Sequence, residues 1–231
     1  MKRDLVEQVV DDITKAIIDA EYQEGEALPP EGDLASRLNV SRLTAREAVR
    51  ILKDRGILEV VQGRGTFVAP RAQWNDLSTL VACALHDSSP RDVGLRLTEL
   101  RRMIEVGAAG LAARNRSEAD LAALASHITA MEAADEADDV SRHIEEDLAF
   151  HRRILLASAN PFIPVVMSPL EKALHESRVV TASHPQVRKR AQNHHRAILD
   201  ALRIRDEEAA KDAMRAHMTQ TRLDLVQNTD S

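Results

Sequence analysis

Apolar side chains recur at helical spacing over most of the chain, interrupted once by a short β-like segment near 57–69. Val6, Val9, Val10, Ile13, Ile17 and Ile18 fall on one face and predict a helix over 5–20. The run Glu24-Gly25-Glu26-Ala27-Leu28-Pro29-Pro30 breaks it, and 31–38 predicts a short second helix with Leu34, Ala35 and Leu38 inward. Asn39-Val40-Ser41 then reads as a tight turn. Ser41 is placed to cap a third helix that runs to about Arg55 and buries Ala45, Ala48, Val49 and Leu52. Gly56 stands where a helix commonly ends. The β-branched stretches 57–61 and 66–69, parted by Gln62-Gly63-Arg64-Gly65, predict a hairpin that Pro70 closes. Three helices and a hairpin in about 70 residues make a winged helix-turn-helix.

Beyond Pro70 no further strand signal occurs. Amphipathic helices are predicted near 74–86, 92–114, 118–136, 140–158, 162–180, 186–204 and 206–227, with Asn160 capping and Pro161 opening the fifth of these. The short acidic run 135–139 reads as a loop. The expected fold class is mainly α: an amino-terminal winged helix-turn-helix over 1–70, a linker over 71–76, and a carboxy-terminal antiparallel all-helical bundle over 77–228. Trp74, the one tryptophan, is expected to pack between the two domains.

Composition narrows the function. No apolar run approaches the ~18 residues that a membrane span needs, and Met1-Lys2-Arg3-Asp4 lacks a secretory apolar region, so a cytoplasmic protein without a membrane partner is expected. The single cysteine, Cys83, excludes an intramolecular disulfide framework and a cysteine-based zinc finger. A net charge of −6 argues weakly against nucleic acid. Its distribution reverses that: residues 37–64 carry seven basic side chains against three acids. A basic patch on an acidic chain suits specific DNA binding better than indiscriminate polyanion binding.

The chemistry concentrates in two places. In a helix-turn-helix, the start of the second helix of the motif reaches base edges, and here it reads Ser41-Arg42-Leu43-Thr44-Ala45-Arg46. Arg42 and Arg46, four apart, share a face and offer forks that match guanine or phosphate, while Ser41 and Thr44 supply hydroxyls. Gln62, Gly63 and Arg64 occupy the wing tip. In the helical part Asp147 and His151 are four apart, His195 aligns with Ile198, Leu199 and Leu202, and His217 follows Met214 on the last helix. One carboxylate and three imidazoles suit a divalent transition metal such as Zn, Ni or Mn, although spacing alone leaves their convergence open. His194 and His143 are alternative donors, read as outer or surface residues.

These motifs carry a resemblance. Gly25-Glu26-Ala27-Leu28-Pro29-Pro30-Glu31, Val40-Ser41-Arg42, Arg46-Glu47-Ala48, Gly56-Ile57-Leu58 and Gly63-Arg64-Gly65-Thr66-Phe67-Val68 resemble the GntR family of bacterial repressors. The resemblance implies DNA contacts by Ser41, Arg42, Thr44, Arg46 and the wing glycine Gly63. Many relatives carry an arginine where this chain has Gly32, which puts one phosphate or base contact in doubt. Glu99-Leu100-Arg101, Asp147-Leu148-Ala149-Phe150-His151, Asn160-Pro161 and His195-Arg196-Ala197-Ile198-Leu199-Asp200-Ala201 are similar to the FadR-type effector (FCD) domain, whose metal-binding members match Asp147, His151, His195 and His217.

The FadR-type resemblance further implies a homodimer on a palindromic double-stranded operator and a small organic or sugar acid effector held beside the metal. Arg101 is the expected carboxylate partner, unless a salt bridge with Glu105 claims it, and His175 and Arg178 are further pocket candidates. The run from Phe67 to Asn75 is similar to the linker of regulators that answer to sugar acids such as galactonate. An enzyme is not expected, because no general base stands out beyond the metal donors.

Overall fold

The structure, a computed structural model, describes residues 5–227; the chain start Met1–Asp4 and the last four residues lie outside the described residues. The chain divides into two compact units, Met1–Asp87 and Ser88–Ser231.

In the first unit α1 (Leu5–Ile18), α2 (Glu31–Arg37) and α3 (Arg42–Asp54) precede a hairpin of β1 (Leu58–Val61) and β2 (Gly65–Val68). The strands pair antiparallel with Leu58 opposite Val68 and Val61 opposite Gly65. The proline-rich segment lies along this ribbon, with the Leu28 amide donating to the Thr66 carbonyl at 2.8 Å. Val9, Ile13 and Ile17 of α1 meet Val49 and Leu52 of α3 over a core that Ile57, Leu58 and Val68 complete. The predicted elements recur with ends shifted by one or two residues.

Two expectations about this first unit need correction. The helix α4 (Leu77–Asp87) belongs to the first unit and not to the bundle, because Leu80 and Cys83 pack on the head's core. Trp74 is buried in that same core and donates to the Ala69 carbonyl at 2.8 Å, so it anchors the head's own end.

The second unit holds α5 (Pro90–Asn115), α6 (Glu118–Glu136), α7 (Val140–Ala157), α8 (Phe162–Met167), α9 (Glu171–Ala182), α10 (Pro185–Arg203) and α11 (Glu207–Gln227). Ala108, Ala109, Ala112 and Ala113 are fully buried on α5, and such small side chains let its neighbours, above all α11, approach closely. Phe150, Ile154, Ile198, Leu202 and Met214 fill the centre. The helix predicted over 162–180 is broken into α8, a 3₁₀ turn at Ser168–Leu170, and α9. Pro169 explains the break, since its ring supplies no amide proton to an uninterrupted helical ladder. The acidic run is more than a loop. Asp139 caps α7, and Asp135 and Asp138 pair with the buried Arg188 of α10 at 2.6 and 3.1 Å.

Gly56 has φ of +70°, and a Cβ there would run into the Gln73 carbonyl. A left-handed conformation costs an L-residue about 1–2 kcal/mol before any clash. Replacing Gly56 with Ala is therefore expected to destabilise the head by at least that amount. The check is chemical denaturation followed by fluorescence of Trp74, the sole tryptophan; an unshifted midpoint would contradict it.

Candidate functional site

The start of α3 is built as a display surface. The Ser41 hydroxyl accepts the Thr44 amide at 3.1 Å and lies 2.8 Å from the Thr44 hydroxyl, which fixes the helix start. With Ala45, Ala48, Val49 and Leu52 facing the core, Arg42 and Arg46 are turned outward and exposed. Arg46 donates from Nε to Glu31 at 2.9 Å, yet its side chain stays 68% exposed, leaving the end of its fork free to face a duplex. A Cβ at position 32 would lie 3.5 Å from the Arg42 guanidinium. A long side chain there would compete with Arg42 for space, so Gly32 lets Arg42 lie across the start of α2.

The wing tip exposes Gln62, Gly63 and Arg64. Gly63 adopts φ of +72° in the turn, and Arg64 stacks over the Phe67 ring at 5.6 Å, which props its guanidinium at the tip. Leu43 was not singled out from sequence, yet it is 74% exposed between the two arginines and offers methyl groups to a groove. Its apolar character within a reading helix was the available signal.

In the bundle, α7, α10 and α11 bring three imidazoles together. His151, His195 and His217 each present a donor atom within 4.8 Å of one another, and all three are buried. The Nε2 atoms of His151 and His217 are 3.1 Å apart. Asp147 stands at the edge of this group, with Oδ1 3.3 Å from His195 Nε2 and 3.9 Å from His151 Nε2. Its other oxygen is held by Arg178 Nε. His194 and His143 lie outside the three-imidazole cluster; His143 instead sits 2.9 Å from Asp135.

Two side chains that sequence reasoning did not select as site residues complete the arrangement. Glu105 takes Arg101 Nε on one oxygen and His151 Nδ1 on the other, both at 2.6 Å. Gln192 donates its amide to the Ile128 carbonyl at 3.2 Å, which turns its oxygen toward His195 Nδ1 at 3.1 Å. That oxygen only accepts, so the geometry puts the His195 proton on Nδ1 and leaves Nε2 bare beside the Asp147 carboxylate. His195 is fully buried, and Nε2 has no hydrogen-bond partner among the described residues. Two lone-pair bearers facing each other out of water call for a cation between them. A divalent metal fits this donor set.

Electrostatics agree. Burial alone would push the Asp147 and Glu105 carboxyls up, but Arg178 and the imidazoles on one side, and Arg101 and His151 on the other, hold both well below the usual carboxylate range. Burial pushes His151 down to about 4, and His217 well below its ordinary value, so both rings stay neutral and able to donate lone pairs.

Arg101, Arg178 and His217 also line a cavity with Thr181, Gln220 and Thr221. Arg101 is 4% exposed and its Nη2 lacks a partner among the described residues. Of the two sequence alternatives the salt bridge with Glu105 forms, through Nε, and Nη2 remains a free donor beside the cavity. His175 is half-buried on α9 and contributes no wall to this cavity, which Arg178 and Thr181 line from that helix.

Comparison with known proteins agrees with both halves. Residues 5–68 match the gntR family of bacterial regulatory proteins, and 96–220 match the FCD domain. The chain is 31% identical to the galactonate operon transcriptional repressor of Escherichia coli K12 over 214 residues, covering 90% of each chain. It is 30% identical to the Glc operon transcriptional activator of the same strain, covering 97% of this chain and 90% of that one. Among solved structures, a GntR protein of Streptococcus agalactiae aligns with a TM-score of 0.55 at 31% identity, covering 94% of this chain and 99% of that one.

Because His151 and His217 are neutral in the folded chain and protonate near 6.5 when unfolded, the unfolded state takes up protons first on acidification. With chelator present, the bundle's stability is expected to be full above about pH 7 and to fall as pH drops from 6.5 toward 4. Thermal unfolding by far-ultraviolet circular dichroism checks this, and a midpoint that does not move across that window would contradict it.

Proposed function

The chain belongs to the GntR family of bacterial regulatory proteins, in its FCD-domain branch, and from that premise we propose a ligand-responsive repressor of a catabolic operon, working in the cytoplasm. The head reads an operator through Arg42 and Arg46, with Ser41, Thr44, Leu43 and the wing residues Gln62, Gly63 and Arg64 fixing register. A homodimer on a palindromic site follows from the two-fold logic of such heads.

The bundle is the sensor. The observation that carries this reading is the bare His195 Nε2 opposed to Asp147 within a cluster of three imidazoles, beside the unpartnered Nη2 of Arg101. Asp147, His151, His195 and His217 would hold a divalent metal such as Zn, Ni or Mn. When bound, the metal offers open positions to a carboxylate or hydroxyl oxygen. Arg101 then takes a carboxylate, Arg178 closes the same wall, and Thr181, Gln220 and Thr221 supply hydroxyl and amide partners. That lining favours a small hydroxylated acid. The names of the relatives, a galactonate repressor and a Glc activator, support that class.

A thermal-shift survey of hydroxy and sugar acids, D-galactonate included, should give a stabilised protein that loses its response when chelator is added. A response untouched by chelator would place the effector away from the metal. Replacing Arg46 with Ala is expected to weaken operator binding by about 1–3 kcal/mol if it reads a base. Unchanged affinity in a fluorescence-anisotropy titration would remove Arg46 from the interface.

A further inference from the structure

Glu105 ligates nothing in the donor set proposed above, yet it stands between its two halves. It is 1% exposed, on α5, the helix that also carries Arg101 one turn earlier. One oxygen accepts from Arg101 Nε and the other faces His151 Nδ1, each at 2.6 Å. A carboxylate can only accept, so the proton of a neutral His151 must sit on Nδ1, and the lone pair of Nε2 is delivered toward His217. The same carboxylate orients Arg101 so that Nη2 remains unpartnered.

We propose that Glu105 is a positioning residue that fixes His151 as an Nε2 donor and, through its other oxygen, holds the carboxylate-binding Arg101 in register with the cation seat. The inference rests on the metal reading of the preceding section. It assigns to one buried side chain the link between the place where a cation sits and the place where an anion docks. Gln192 acts on His195 in the same sense but reaches no arginine, so the link runs through Glu105.

Glu105→Gln keeps the shape, removes the charge, and turns a donor toward either Arg101 or His151. Loss of an outer hydrogen-bond partner of a metal-binding imidazole typically costs 10–100-fold in metal affinity. The experiment measures Zn²⁺ affinity by competition with a chromophoric chelator for wild type and Glu105→Gln. It is paired with long-range ¹H–¹⁵N spectra that report the His151 tautomer in the metal-free proteins. The expected result is an Nδ1–H tautomer in wild type, a mixed or reversed tautomer in the variant, and a 10–100-fold weaker Zn²⁺ complex. Affinity within twofold of wild type overturns the role of Glu105 while leaving the metal reading intact. A lower melting temperature with unchanged tautomer and affinity marks a purely structural residue and overturns it too. If the variant does not fold, the wild-type spectrum still decides, since an Nε2–H tautomer at His151 contradicts the proposal. Wild-type protein that takes up no Zn²⁺ overturns the metal reading, and this inference with it.

Discussion

Glu105 and Asp147 are carboxylates taken out of water in the middle of a helical bundle, and each persists there through an ion pair with a buried arginine. A buried charge without compensation costs several kcal/mol, so the arrangement is stable only as a set. Arg101 and Arg178 neutralise the two carboxylates, Glu105 orients His151, and Gln192 orients His195. Removing either member of an arginine–carboxylate pair leaves the other charge buried and unpaired. The bundle's shape follows from this constraint, because α5, α7, α9 and α10 must all approach closely enough for the chains Arg101–Glu105–His151 and Arg178–Asp147–His195 to close.

The head solves a simpler problem by the opposite means. Its charges remain in water, and its core is almost wholly apolar, built on α1, α3 and the hairpin. Solvated arginines are inexpensive to hold ready, and an exposed pair such as Arg46 and Glu31 contributes little to stability. In the proposed operator complex a phosphate or base edge would therefore displace Glu31 from Arg46 at small cost. Rigid burial in one unit and loose solvent-facing pairing in the other suit the proposed division of labour, a sensor that must hold a geometry and a reader that must adapt to a groove.

Much of this was legible in the sequence wherever one element sufficed. The Ser41 cap, the apolar stripe of α3 and the glycines of the wing each act locally, and they place Arg42, Arg46 and Arg64 on the surface without knowledge of the rest. The spacing of Asp147 and His151 put both on one face of α7. Spacing gives a face but no distance between helices, so the meeting of His151, His195 and His217 had to come from the fold. Glu105 was visible only as a salt-bridge partner for Arg101, because the polar groups of a helix buried on most sides carry no amphipathic signature. Gln192 gave no signal at all, since its role depends on the Ile128 carbonyl of another helix. The break at Pro169 was legible but passed over, and the membership of α4 turned on where Leu80 and Cys83 pack, which periodicity does not determine.

The central claim is that a buried imidazole cluster in the bundle is a metal seat. Anomalous diffraction from crystals of the protein as purified, recorded on either side of the absorption edge of the metal found by elemental analysis, tests it most directly. The account predicts one strong anomalous peak within bonding distance of His151, His195 and His217 Nε2 and of the Asp147 carboxylate. A cluster without such a peak, its imidazoles hydrogen-bonded to water or to one another alone, would contradict it.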